Sequence, residues 1–282
     1  MLVNQPALDY LRVGTWDHMQ TYWWHNLIGE IAKSEGGNPE TGKWMQYRGV
    51  KHKGAFAGHA RQGPDKHLHT LIQISGESAE RYKHEVRALA DKGGGKATRV
   101  DVQVTIPMSA NPWRARAWAD HLRRAEWGHR RPGITAIDGE LGMDTLYIGS
   151  RTSERYIRFY VKDGSEGGLF LRYEIEYKGE KAQDAWNKAP YTESLRRLLG
   201  GELDRLPLPA TDPDLQALQS VLFPGNAIPT LTVGSGGKTW HWLLDAVDPA
   251  LKRMLADHEY GAQTRELLAQ WQDFADNLDL QQ

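Results

Sequence analysis

Cysteine is absent from the 282 residues, which excludes disulfide scaffolds, thiolate zinc sites and cysteine nucleophiles. Any metal must therefore sit on Asp, Glu, His or carbonyl oxygen. There is no run of about 18 apolar residues, and the opening MLVNQPALDY has neither the basic start nor the apolar stretch of a secretory signal. The expectation is a cytoplasmic chain with no membrane partner. GxxxxGK[ST] does not occur and no GxGxxG follows a strand pattern, which argues against ATP-driven and dinucleotide-dependent chemistry. A strong charge of one sign is missing too: the formal net charge is -1, so composition alone gives no support for a nucleic-acid partner.

The distribution of charge says more than its sum. Between residues 111 and 131 six arginines (Arg114, Arg116, Arg123, Arg124, Arg130 and Arg131) face only Asp120 and Glu126. From residue 257 onward six acids face only Arg265. One basic face with an acidic tail suits a protein that holds a phosphate backbone while limiting non-specific adhesion. Two solvated helix faces of opposite sign explain the same pattern.

Hydrophobic periodicity places strands at residues 7–13, 67–75, 98–106, 145–149, 155–162 and 170–178. It places helices at 15–31, 77–92, 113–127 and 181–188, with the glycine- and lysine-rich stretch 33–66 read as loops containing one short hairpin. Strand, helix, strand and strand thus occur twice. The predicted fold is α+β: a mixed or antiparallel central sheet made from two such units and covered by helices. Residues 1–205 form this sheet domain. LPLPATDPD, within 206–214, reads as a proline-rich linker, and 215–282 reads as a small helical C-terminal domain.

Side chains two apart on a strand share a face. In 98–106, Asp101 lies opposite the valines; in 155–162, Tyr156, Arg158, Tyr160 and Lys162 oppose Ile157, Phe159 and Val161; in 170–178, Arg172, Glu174 and Glu176 oppose Leu171, Tyr173 and Ile175. If these strands share a sheet, one face gathers acids, tyrosines and cations. Two carboxylates such as Asp101 and Glu174 can hold Mg2+ or Mn2+ by oxygen. A phenol, weakly nucleophilic at its free pKa of about 10, can attack phosphorus once its proton is drawn off. Arg158, Lys162 and Arg172 would stabilise the charge on the phosphoryl oxygens. A charged face kept for solubility is the plain alternative.

The stretches TLYIGSRTSERYIRFYVKDG (145–164) and LRYEIEYKGEKA (171–182) resemble the Rep_trans replication-initiation family of rolling-circle plasmids and filamentous phages. TRVDVQV, LIQISG and LDYLRV resemble its Arg-x-Asp strand, its Ser-Gly strand and its opening Asp-aromatic strand, and GKTWHWL resembles a late element of phage-type members. The resemblance implies site-specific, metal-dependent nicking of one DNA strand, in which a tyrosine takes the 5′-phosphate and leaves a free 3′-OH. It implies Tyr160 as nucleophile with Tyr156 as rival, Asp101 and Glu174 as ligands of Mg2+ or Mn2+, and Arg151 and Arg158 at phosphate; Arg155 and Arg172 are expected at the DNA backbone as well. The arginines of 114–131 would bind the origin. Duplex and single-stranded origin DNA, a host helicase and polymerase, and a second copy of the chain are the implied partners. Many members carry an acid or amide directly after the tyrosine, where this chain has Val161. That departure leaves room for a non-cleaving origin-binding or regulatory protein of the same fold.

Two side motifs compete for attention. His67-Leu68-His69 places two imidazoles on one strand face, a pattern that can share a metal. Trp16, Trp23, Trp24, Trp113, Trp118 and Trp127 could stack on unpaired bases, although Trp23, Trp118, Trp240 and Trp242 are expected mainly to pack.

Overall fold

The computed structural model describes residues 3–62, 67–109, 114–128, 131–139, 143–164 and 168–223. The chain divides at Gly225 into two units, and all described residues lie in the first. Its elements run β1 (Ala7–Thr15), α1 (Gln20–Ser34), β2 (Glu40–Trp44), β3 (Tyr47–His52), β4 (Ala55–Gln62), β5 (His67–Ser75), α2 (Glu77–Arg81) and α3 (Lys83–Lys92). There follow β6 (Lys96–Pro107), α4 (Ala115–Arg124), β7 (Ile134–Ile137), β8 (Thr145–Gly149), β9 (Arg155–Asp163), β10 (Leu169–Lys178), α5 (Gly179–Lys188), α6 (Thr192–Leu203) and α7 (Pro213–Leu222). None of the described helices is long and apolar enough to cross a membrane.

The ten strands form one sheet in the order β2-β3-β4-β5-β1-β6-β10-β9-β8-β7, with every neighbouring pair antiparallel. The order resolves into two copies of one plan, joined at β1 and β6. In each, a strand and a helix precede a four-strand meander whose last strand returns to pair with the first. The expected repeat is present, but each unit holds four strands after its helix rather than two. The missing pair in the first unit is hidden because AFAGHARQ and YRGVKH carry glycine and small residues in place of alternating β-branched ones.

One face of the sheet carries Leu11, Val13, Ile72, Ile74, Val100, Val102, Val104, Ile157, Phe159, Val161, Leu171, Tyr173 and Ile175, and all seven described helices bury their apolar stripes against it. In α4, Ala115, Trp118, Ala119 and Leu122 are the buried positions, the spacing of one helical stripe. The N-terminus of α4 is held by buried Asp144, whose Oδ2 accepts from the Ala115 N–H at 3.2 Å. The opposite face is left open by the described helices, and the candidate chemistry lies on it.

The stretch expected to be a linker is packed. Leu208 is buried within the main core, and Leu206 lies against it. Asp212 caps α7 by accepting from the N–H groups of Asp214 and Leu215, and its other oxygen accepts from the Trp118 indole at 2.8 Å. The sheet domain therefore continues through α7, and the boundary expected at 206–214 moves to Gly225. The expected elements beyond residue 223, with Trp240, Trp242 and the acidic tail, lie outside the described residues, as do Trp113 and Arg130.

Candidate nicking site

Antiparallel register brings the site together. Glu174 of β10 stands between Arg158 of β9 and Gln103 of β6. One pleat along, Glu176 stands between Tyr156 and Asp101, and in the other direction Arg172 stands between Tyr160 and Thr105. Directly opposed residues share a face, so three rows of polar side chains cross the open face at β6, β10 and β9. A register irregularity in β1 between Leu8 and Tyr10 adds Asp9 to the same group. Such bulges re-aim side chains.

The Tyr160 hydroxyl donates to Glu174 Oε2 at 2.8 Å. Arg158 Nη2 ion-pairs with Glu174 Oε1 and lies 3.2 Å from Asp101 Oδ2 and 3.9 Å from Glu176 Oε2. Arg99 grips Asp101 through two bonds of 2.9 and 2.6 Å and reaches Glu176 at 2.9 Å. Arg172, only 4% exposed, bonds Asp9 at 3.0 Å and Thr105 Oγ1 at 3.0 Å, with the Tyr160 oxygen 3.5 Å from its Nη1.

Burial sets the electrostatics. Withdrawal from water pushes the Glu174 carboxyl up to about 7, with Asp101 and Asp9 adding to the rise and Arg158 opposing it. Asp101 is raised for the same first reason, against the pull of Arg99. The Tyr160 phenol is held above its ordinary value by burial and by Glu174, while Arg172 pulls it down. At neutral pH the Tyr160 phenol is protonated and bonded to a carboxyl group poised near neutrality, a pairing in which a general base could draw off the proton.

Other expected residues fall elsewhere. Tyr156 lies on the same face but is buried and stacked on Tyr147, with ring centroids 5.5 Å apart. Lys162 continues the row beyond Tyr160, half-buried. Arg155 was expected at phosphate, but strand parity turns it to the helix face, where it pairs with Glu202 of α6. Arg172 was expected to touch DNA; its burial makes it a brace for Asp9 and Tyr160 instead. Arg151 is exposed in the turn before β9. Arg114, Arg116, Arg123, Arg124 and Arg131 belong to α4 and its flanks, on the helix-covered side of the sheet. Arg116 pairs with Asp138, Arg123 with Asp120, and Arg131 donates to the Arg123 carbonyl. They lie on the face of the sheet opposite to Tyr160. Val161 is buried on the helix face, so an acid at that position would point away from Tyr160.

His67 and His69 share the open face as expected, but on β5, three strand steps from β10. His69 Nδ1 hydrogen-bonds with the Tyr47 hydroxyl at 2.8 Å, and its ring lies edge-on to Trp16. Trp24 and Trp118 are buried, while Trp16 and Trp23 are exposed, so packing claims Trp24 rather than Trp23. Asp9, Arg99 and Glu176 were not singled out from the residues. Arg99 and Glu176 share the parity of Asp101 and Glu174 and were within reach of that argument; Asp9 depends on the bulge, which sequence parity does not reveal.

A ten-stranded antiparallel sheet with helices on one face carries a tyrosine-acid-arginine cluster on the other, and comparison with known proteins finds likenesses to both the sequence and the fold. The family model of replication initiation factors, Rep_trans, matches residues 99–204, the span holding Asp101, Tyr160 and Glu174. The fold is similar to that of a rolling circle replication initiator protein from Geobacillus stearothermophilus, with a TM-score of 0.54 and 18% identity over 77% of this chain and 96% of that one. DynU16, a protein of the dynemicin biosynthetic locus, aligns over 76% of this chain and 94% of its own at 11% identity, but its TM-score of 0.19 carries no structural argument. No curated protein matches the chain.

Proposed function

We propose that this protein initiates rolling-circle replication by cutting one DNA strand with Tyr160. The observation that carries the reading is the 2.8 Å hydrogen bond from the Tyr160 hydroxyl to Glu174, on an open sheet face ringed by arginines. The Tyr160 oxygen attacks phosphorus, its proton passes to Glu174 Oε2, and the bond to the 3′-oxygen breaks. The products are a 5′-phosphotyrosyl link and, after proton uptake, a free 3′-OH. Arg158, Lys162 and exposed Arg151 supply positive charge for the phosphoryl oxygens. Arg172 holds the phenol in place and lowers the cost of its ionisation. Tyr156, with its ring stacked on Tyr147, has no comparable acid partner and is the weaker nucleophile.

Mg2+ or Mn2+ fits the donor set by chemistry. Asp101, Glu174 and Glu176 are oxygen donors that converge on one cationic nitrogen of Arg158, and burial leaves the first two short of full neutralisation. Among the described residues no three acids or histidines already stand in a ligand arrangement. Asp101 and Glu174 would hold the ion once Arg158 turns to phosphate, and the ion would supply Lewis-acid polarisation of the phosphodiester. DNA at an origin is the substrate, a host helicase and polymerase would extend the 3′-OH, and a second copy of the chain would rejoin the strand.

Incubation with a supercoiled plasmid bearing the origin and Mn2+ tests the reading. Relaxed circles and a covalent protein-DNA adduct are expected from the native protein and neither from Tyr160→Phe. Origin binding without an adduct under any divalent metal refutes the nicking reading and leaves a non-cleaving origin-binding protein.

A further inference from the structure

The internal repeat sets the candidate site against a counterpart in the first unit. Register defines the correspondence: β6, β10 and β9 of one unit match β1, β5 and β4 of the other. Phe56 pairs with Gln73, which pairs with Arg12, as Tyr156 pairs with Glu176, which pairs with Asp101. Counting along the strands from there, Gly58 matches Arg158, Ala60 matches Tyr160 and Leu71 matches Glu174. Arg158, Tyr160 and Glu174 are thus replaced in the other half by apolar residues, Asp101 by the cation Arg12, Glu176 by the neutral amide Gln73 and Arg172 by His69. The acid cluster becomes a second, smaller hydrophobic cluster of Tyr47, Phe56, Ala60 and Leu71, with Trp44 against it.

This counterpart is an aromatic surface. Trp44 lies 5.9 Å from Tyr47 and 6.5 Å from Phe56 between ring centroids, and the Arg12 guanidinium sits 5.7 Å over the Trp44 ring. β2 and β1 are four strand steps apart, about 19 Å in a flat sheet, so this contact requires the outer strands to curl over the open face. The register pair Gly49 and Gly58 permits the curl: a Cβ on Gly49 would meet the Ala57 carbonyl oxygen at 1.9 Å, and one on Gly58 the Arg48 carbonyl oxygen at 2.7 Å. The surface joins the nicking site without a break. Arg172 lies 5.9 Å from the Tyr160 ring and Arg99 4.3 Å over Tyr10, and Tyr10 bonds Gln73 at 2.7 Å, next to Arg12. Beyond His69 the exposed Trp16 extends it, at 59% exposure.

We propose that this degenerate half is a binding platform for the single-stranded DNA next to the cut, with unpaired bases stacking on Trp44 and Trp16 and phosphate against Arg12 and Lys51. The inference rests on the nicking reading and deepens it. Three arguments select this occupant. The platform is continuous with the nucleophile, with Arg12 on a strand three steps from that of Tyr160, about 14 Å across the sheet. Alternating guanidinium and aromatic groups are what a sequence-tolerant single strand recognises. The curl of the outer strands over the open face suits a flexible strand.

The test uses the full chain and a fluorescein-labelled oligothymidine of about 16 nucleotides, the upper end of single-strand site sizes. Trp44→Ala should raise its Kd about 5- to 100-fold, the loss expected for one stacked base. Arg12→Gln should raise it as well, and Trp44→Phe should recover most of the affinity. Halogenated-uracil crosslinks should map to the peptides of β2 and β3. The proposal is overturned if Trp44→Ala and Arg12→Gln both bind within about twofold of the native protein. It is equally overturned if crosslinks fall elsewhere because the rest of the chain covers this face, or if duplex of the same length competes on equal terms. Failure of the nicking reading is separate: a protein that binds through Trp44 and never forms an adduct keeps the platform and loses the nuclease.

Discussion

Replacing Glu174 by Gln keeps the side chain's shape and a hydrogen-bond partner for Tyr160 but removes the carboxylate proposed to take the phenol proton and to hold the metal. Positioned general bases contribute roughly 100- to 10,000-fold, so cutting should fall by that factor. Stability should move the other way. The carboxyl titrates in the folded protein at about 7 against an ordinary 4.5, so the folded state keeps a proton that the unfolded chain releases between those values. Its contribution is full below pH 4.5 and is lost as pH rises through 7, a change of about 3 kcal/mol. Gln at 174 does not titrate. The variant should match the native protein near pH 4.5 and exceed it by up to about 3 kcal/mol at pH 8, less what Arg158 loses with one acid fewer. Urea unfolding at both pH values, paired with plasmid nicking across the same range, reads all of this. Native cutting should fall as pH drops, because only the ionised carboxylate accepts a proton. A Gln variant that still cuts at about a tenth of the native rate or better refutes the proton-acceptor role. Equal stability at pH 8 refutes the burial argument.

Arg172→Gln removes the cation that eases ionisation of Tyr160 and leaves Asp9 without its partner. Cutting should slow and its pH profile should move upward, whereas an unshifted profile with a lower plateau would mean the arginine acts by shape alone. Arg123→Ala with Arg124→Ala tests whether the helix-side arginines hold duplex: binding should weaken and the slope of log K against log salt should shrink by up to about 2. An unchanged slope removes α4 from the interface. Neither arginine touches the open face, so cutting of a preformed single strand should be unaltered.

Strand parity was legible because β6, β9 and β10 are regular. Their valines, isoleucines and phenylalanines alternate with charged residues, and that alternation alone put Asp101, Glu174, Arg158 and Tyr160 on one face. The same rule places Arg155 with Ile157, away from Tyr160 and against its expected role at DNA, and the structure pairs it with Glu202. The first unit was opaque for a physical reason. β2, β3 and β4 curl around paired glycines, and glycine has no side chain to announce a face. Asp9 was hidden by a bulge, which shifts parity by one residue without a signature in composition. The linker reading failed because LPLP looks extended in either setting, and only burial of Leu208 shows that this stretch is packed.

Position within the sheet explains why acids could be kept at such cost in one half. β6 and β10 lie near the middle of ten strands, with neighbours on both sides and helices beneath, so Asp101, Glu174 and Glu176 are buried although they sit on the open face. Burial raises the proton affinity of Asp101 and Glu174, and arginines from β6 and β9 answer it. This arrangement stores little stability, since breaking a buried ion pair is costly while forming it gains little, but it produces a carboxylate that titrates near neutrality beside a phenol. In the other half, β5 and β4 are as well covered, yet the matching positions hold Leu71 and Ala60. With no proton to move there, apolar groups are the more stable filling of the same place, and the half freed from chemistry is left with the aromatic surface that a strand leaving Tyr160 would next meet.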